Sequence, residues 1–158
     1  DGEENSFLNE VLLWLIENIP SSFNPKKLCW GDSRIGNVLF DDFKVKSLLD
    51  WEMATIGDPL CDLAWGLTTD DVSSHGLNIE KLAGTISNDE AIKIWEKGTG
   101  FSAENFFYYR ILCLFKFSVI MIRVAKKLIH SEIMPLDSDF HINNHVSNYL
   151  KKEFSDKN

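Results

Sequence analysis

The stretch WGDSRIGNVLFDDFKVKSLLDW, residues 30–51, decides how the chain folds and where its polar chemistry lies. It carries Asp32, then Asn37 five positions later, then Asp50 thirteen positions beyond that. Asn37 to Phe40 and Val45 to Leu49 are short apolar runs with partial alternation, separated by Asp41-Asp42-Phe43-Lys44. Such runs around a polar tetrapeptide predict a β-hairpin. An antiparallel pair returns the second run along the first. It therefore sets Asn37, at the start of one strand, close to Asp50, just past the end of the other.

Helical periodicity surrounds the hairpin. Phe7, Leu8, Val11, Leu12, Leu15, Ile16 and Ile19 recur at three- and four-residue intervals. They form one helix face, with Asn5 or Ser6 as cap and Pro20 near the end. Lys27 to Trp30 reads as a short extended segment entering the Gly31-Asp32 turn. Residues 51–67, WEMATIGDPLCDLAWGL, read as a loop that ends in a helix. Asp58 caps that helix and Pro59 takes its first position, where the missing N–H costs nothing. Leu60, Leu63, Ala64 and Leu67 are expected to face inward.

Asp70 to Asn78 is polar and reads as a loop. Ser87-Asn-Asp-Glu90 is a capping box opening a helix that Gly98 is expected to close. From Ser102 to about His130 a long helix is apolar nearly all round and is expected to be the buried centre. Phe140 to Phe154 has the pattern of a last amphipathic helix. The predicted class is α+β, mainly α, in a single domain spanning residues 1–158.

Composition narrows the function. With 44% hydrophobic and 25% charged residues in 158, the chain is globular and long enough for a core. A net charge of −8 speaks against nucleic acid or an anionic membrane as partner, since phosphate-binding surfaces need clustered Lys and Arg. Cys29, Cys61 and Cys113 are odd in number and lack a C-x-x-C pair, as expected of reduced thiols in a cytoplasmic chain. His141 and His145 stand four apart on a predicted helix, a metal-binding spacing that surface histidines share far more often. The apolar run Ile111 to Val124 is interrupted by Lys116 and Arg123 and is too short to span a bilayer. The opening DGEENS lacks a methionine and has no basic-then-apolar leader, which suggests a piece cut from something longer.

A carboxylate in a tight loop, an asparagine five later and a second carboxylate after a hairpin suit phosphoryl transfer. A hydroxyl nucleophile needs a proton acceptor, and a loop aspartate such as Asp32 can be placed to serve. Mg²⁺ prefers oxygen ligands, which the neutral amide of Asn37 and the anionic carboxylate of Asp50 supply.

On these residues, GDSRIGN followed by LLDWEMATIGDPLCDLAW, the chain resembles the aminoglycoside phosphotransferase and choline kinase family, which shares the protein-kinase fold. Within it the likeness is greatest to kinase domains associated with acyl-CoA dehydrogenases. The clear match covers Leu28 to Leu67, and a weaker one continues through SNDEAIKIWEKGTGF and the long helix.

The resemblance implies roles for particular residues. Asp32 is the catalytic base, and Asn37 and Asp50 hold Mg²⁺ beneath the phosphates of ATP. Arg34 either steadies the transferred phosphate or only pairs with a neighbouring acid. Asp62 braces the catalytic loop through its backbone. Of Glu52 the resemblance requires nothing; it is read as reaching metal through water or, more often, as structural. The family usually has His two residues before the base, where this chain has Trp30.

The family's nucleotide lobe, with its glycine-rich cover, precedes this region. Only 31 residues precede Asp32 here, so the chain reads as a carboxy-terminal lobe whose partner is the amino-terminal lobe of its parent. The implied activity moves the γ-phosphoryl of ATP to a hydroxyl on a hydroxyacyl-CoA, an aminoglycoside or a choline-like compound. The alternative is a non-catalytic binding or scaffolding fragment. A Mg²⁺-dependent hydrolase is a third reading, weakened because no nucleophile motif accompanies the acids.

Overall fold

A computed structural model describes residues 5–156. Five helices and four short strands follow in the order α1 (Ser6–Glu17), β1 (Lys27–Cys29), β2 (Val38–Asp41), β3 (Lys44–Leu48), β4 (Thr55–Gly57), α2 (Leu60–Ser74), α3 (Asn88–Thr99), α4 (Phe106–His130) and α5 (His145–Ser155). The class is mainly helical α+β, as the sequence predicts. The chain divides into two compact units, one of residues 20–110 and one formed by α1 with the chain from Ile111 onward.

In the second of these units, Asn5 caps α1 by accepting a hydrogen bond from the Leu8 N–H at 3.0 Å. α1 buries Leu8, Val11 and Leu15, and α5 buries Val146, Leu150 and Phe154. The Phe154 ring meets Phe7 edge to face at 6.0 Å and Trp14 at 5.8 Å, so both helices share one aromatic contact. α4 buries Ile111, Leu114, Ser118, Met121 and Ala125 on one side. Val119, Ile120 and Val124 stand exposed on the other. The long helix is thus one-sided and not the fully enclosed centre that its composition suggests. α5 begins at His145 behind its cap Asn144, so His141 lies outside the helix and the histidine pair has no shared helical face.

The unit of residues 20–110 carries the hairpin. β2 and β3 pair antiparallel, Val38 with Leu48 and Asp41 with Lys44, with a bulge between Leu39 and Phe40. The reversal at Asp42 and Phe43 has positive φ at both residues, 47° and 57°. That is the twist a two-residue hairpin turn requires. A second pair, β1 with β4, is antiparallel from Lys27–Gly57 to Cys29–Thr55. The sequence reading leaves β4 inside a loop, because three residues are too few to show alternation.

α2 starts where expected. Asp58 accepts the Leu60 N–H at 2.9 Å, and Pro59 occupies the first turn. It runs to Ser74, taking the first five residues of the segment read as a loop. The polar residues there are interior partners. Asp71 is buried and accepts from Arg110 at 2.7 Å, Lys81 at 2.7 Å and Asn88 at 2.7 Å. Ser87 and Glu90 form the expected capping box on α3. That helix passes through Gly98 and closes at Gly100, where φ is 73°. No helix among the described residues is long and apolar enough to cross a membrane.

Burial pushes the Asp71 carboxyl up, but the bonds from Lys81, Arg110 and Asn88 outweigh it and hold it below the usual carboxylate range. Its stabilising contribution is therefore complete above the unfolded value near 4 and fades as pH falls through the lower folded value. Arg110→Met should cost about 3 kcal/mol at neutral pH by leaving a buried carboxylate short of a partner. The deficit should shrink in acid, which urea unfolding at pH 7 and pH 3 will measure.

Candidate active site

Asp62, in the first turn of α2, fixes the loop that bears Asp32. Its Oδ2 accepts the Trp30 N–H at 2.6 Å and its Oδ1 the Gly31 N–H at 2.8 Å. Hydrogen bonds to an ionised acceptor are the strong ones, and two from consecutive amides set both position and orientation. The bracing role that the resemblance implies for Asp62 is present in this geometry. The Ser33 hydroxyl adds a bond to the Asp62 carbonyl at 2.6 Å.

Two glycines let the loop settle between its neighbours. A Cβ on Gly66 would lie 2.7 Å from the Ser33 carbonyl, so α2 approaches the loop at a distance no side chain permits. On the other side, a Cβ on Gly31, whose φ is 92°, would meet the Met53 carbonyl at 2.4 Å. The loop is clamped between α2 and the turn that follows Asp50.

Within that clamp the Asp32 carboxylate takes three donors. The Trp65 indole N–H donates to Oδ1 at 2.7 Å, while Asn37 Nδ2 at 2.7 Å and Arg34 Nε at 2.9 Å donate to Oδ2. A carboxylate offers four acceptor sites, two on each oxygen. Among the described residues, donors fill Oδ2 and leave one acceptor site of Oδ1 open. Burial pushes the Asp32 carboxyl up, and the bonds from Trp65, Arg34 and Asn37 more than reverse this. The group is held below its ordinary range, ionised and partly shielded.

Asn37 is buried and spends its amide nitrogen on Asp32, through the side chain and also the Asp32 carbonyl at 3.1 Å. No donor among the described residues reaches its Oδ1. The Leu49 N–H donates to the Asn37 carbonyl at 2.8 Å. This extends the ladder by one rung and puts Asn37 opposite the residue before Asp50. The hairpin thus brings Asn37 and the Leu49–Asp50 link together, as the sequence predicts. Asp50 is exposed and has φ of 59°, a left-handed conformation uncommon outside glycine. Its carboxylate makes no hydrogen bond or ion pair among the described residues.

Arg34 pairs with Asp32 through Nε, and its side chain is 53% exposed. The salt bridge is real, and no described residue takes the two terminal nitrogens. Glu52 is exposed in the turn closed by the Ala54 N–H to Trp51 carbonyl bond. No three His, Cys, Asp or Glu side chains gather to hold a metal among the described residues. An ion here has to share its coordination with ligand oxygens or water, which is the usual habit of Mg²⁺. The available donors, one amide oxygen and one carboxylate, have the right hardness for it.

Trp65 is buried, and sequence reasoning did not foresee its bond to Asp32 or the part played by Trp30. A signal for Trp65 exists. Asp58, Asp62, Trp65, Gly66 and Thr69 follow helical spacing, and a face mixing acid, indole and glycine is a poor core face.

Set beside solved structures, the chain matches a crystal structure from Ralstonia eutropha JMP134, an aminoglycoside phosphotransferase by assignment. The TM-score is 0.71, with 97% of this chain and 48% of that one covered at 18% identity. The fold is thus that of the protein-kinase-like phosphotransferases, of which this chain covers about half of one solved member. The model of the phosphotransferase enzyme family matches residues 2–94, and the chain belongs to that family. Its relatives include acyl-CoA dehydrogenase family member 11 of Pongo abelii, 34% identical over 124 residues, and that of Gallus gallus, 33% identical over 126. Both matches cover 72% of this chain and 16% of the relative, so the chain spans about a sixth of their length.

Trp65→Phe should raise the Asp32 carboxyl toward its ordinary value by removing one of three donors. Carboxyl-resolved NMR titration of this chain will show the movement. Because the Asp32 value is depressed, its contribution to stability is present above about pH 4 and is lost as pH falls through the folded value. The substitution should leave the onset of that loss at about pH 4 but make it end at higher pH and be smaller in total.

Proposed function

We propose that this chain is the carboxy-terminal lobe of an ATP-dependent phosphotransferase whose acceptor is a hydroxyl on a small molecule. The observation that carries the reading is the division of labour between two aspartates. Asp32 is committed to three donors and kept ionised, while Asp50 is uncommitted and stands beyond the hairpin end that carries Asn37.

The acceptor hydroxyl would donate to the one vacant site on Asp32 Oδ1, which aligns its oxygen for attack. A carboxylate held below its usual range is a weak base. That suits a loose transition state, in which the nucleophile sheds its proton late and orientation matters most. Asn37 Oδ1 and the Asp50 carboxylate would hold Mg²⁺, whose bound charge offsets the negative charge of the phosphates. Arg34 keeps Asp32 oriented through Nε and offers its terminal nitrogens to the transferred group. The left-handed backbone at Asp50 is consistent with a residue held in place for use.

The nucleotide also needs a second wall. β2 and β3 expose Leu39, Phe40, Val45 and Leu48, and Phe43 at the turn is fully exposed. A two-stranded hairpin bare on both faces is marginal in water. We assign its cover to an amino-terminal nucleotide lobe of the parent protein, within which this region forms a single functional domain. A hydroxyacyl-CoA is favoured over an aminoglycoside or choline-like acceptor because relatives in which this region is a small part carry acyl-CoA dehydrogenase names. The cytoplasm, where ATP and reduced thiols coexist, is the compartment that fits; Cys29, Cys61 and Cys113 form no disulfide among the described residues.

In the full-length parent, Asp32→Asn should lower turnover by about 10²–10⁴-fold with nucleotide affinity retained. Asp50→Ala should instead weaken Mg²⁺–ATP binding. Steady-state kinetics with calorimetry tests both. An Asp32→Asn enzyme at near-normal rate refutes the role of Asp32, whereas a wild-type parent with no hydroxyl-dependent ATP consumption favours the non-catalytic fragment. Hydrogen exchange over residues 38–48 should be slower in the parent than in this chain, reporting the covered hairpin.

A further inference from the structure

Trp30 sits at the joint between the two arms of the site. It is buried, and its backbone N–H is held by Asp62. Its side chain faces the other way in its bonding, since the indole N–H donates to the Leu49 carbonyl at 2.8 Å. Leu49 is therefore gripped on both sides, its N–H by the Asn37 carbonyl and its C=O by the Trp30 indole. On the far side of Asp50, the Trp51 ring lies 6.0 Å from the Trp30 ring at an interplanar angle of 36°. The Trp51 indole N–H turns back to the Leu48 carbonyl at 2.8 Å. Both neighbours of Asp50 are thus anchored to one side chain, while Asp50 itself holds a left-handed backbone and makes no hydrogen bond or ion pair among the described residues.

We infer that Trp30 is a positioning residue that locks the Asp50 backbone to the Asp32 loop and thereby sets metal affinity. The loop, the indole and the Leu49 carbonyl form one rigid path from Asp62 to Asp50. A carboxylate presented from a left-handed residue drifts unless the flanking peptides are fixed. Groups that orient a ligand without touching the ion commonly change affinity by tenfold or more. The metal part of this inference rests on the proposed function. The backbone part does not.

The test uses the full-length parent with Trp30→Phe, which keeps an aromatic ring and removes the donor. A variant carrying benzothienylalanine at position 30 keeps the bicyclic shape and lacks only the N–H, which guards against a packing defect. Two readouts are taken. Deuterium uptake over residues 48–52 without nucleotide should rise in both variants, with uptake over residues 60–74 unchanged. Mn²⁺ binding in the presence of ATP, followed by electron paramagnetic resonance, should weaken roughly tenfold. Unchanged uptake at 48–52 in the benzothienylalanine protein overturns the lock. Raised uptake with wild-type Mn²⁺ affinity overturns the link to metal. An Asp50→Ala control that binds Mn²⁺ as wild type would instead sink the metal assignment of Asp50, leaving the uptake result to judge the lock.

Discussion

The Asp62 carboxylate, bonded to two successive backbone amides, is the interaction on which the rest of the site depends. Loops lack the ladder that fixes helices and strands, so a loop that must hold a side chain within tenths of an ångström needs an outside anchor. Here the anchor comes from the first turn of α2. The same helix then supplies Trp65 to Asp32 and, at Gly66, the gap into which Ser33 presses. One helix face thus carries clasp, donor and clearance at successive turns. Its own entry is fixed by Asp58, which accepts from Leu60 and also from both the backbone and the side chain of Asn24.

What could be read beforehand was what depends on local periodicity. The hairpin followed from two apolar runs around a polar tetrapeptide, α1 and α3 from caps and face spacing, and α5 from its amphipathic pattern alone, which set its start at Phe140 where the helix begins at His145. The α2 start followed from Asp58-Pro59. Asn37 and the Leu49–Asp50 link were legible as neighbours because antiparallel pairing converts sequence spacing into proximity without knowledge of the rest of the fold.

What could not be read were interactions between distant segments. The α2 extension was hidden because Asp70, Asp71 and Ser74 look like loop residues, and only Arg110, Lys81 and Asn88, all far along the chain, make Asp71 an interior residue. β4 was hidden because its only partner is β1, more than twenty residues earlier. The exposed half of α4 was hidden because Val119, Ile120 and Val124 are as apolar as the residues it buries. The bond made by Trp30 was hidden because sequence reveals a ring and not where its N–H points.

The two aspartates of the site show why residue type alone does not assign a role. Asp32 has lost nearly all its acceptor capacity to Trp65, Asn37 and Arg34, so an incoming group finds one lone pair at a defined angle. That is a poor metal ligand and a good hook for a hydroxyl. Asp50 has the opposite endowment, an exposed carboxylate with all its acceptor sites open and a backbone held from both sides. An ion that demands strict oxygen geometry gains more from a rigid attachment with free oxygens than from a bonded carboxylate. Exchanging the two environments would exchange the two aptitudes, since each is written in the neighbours and neither in the aspartate.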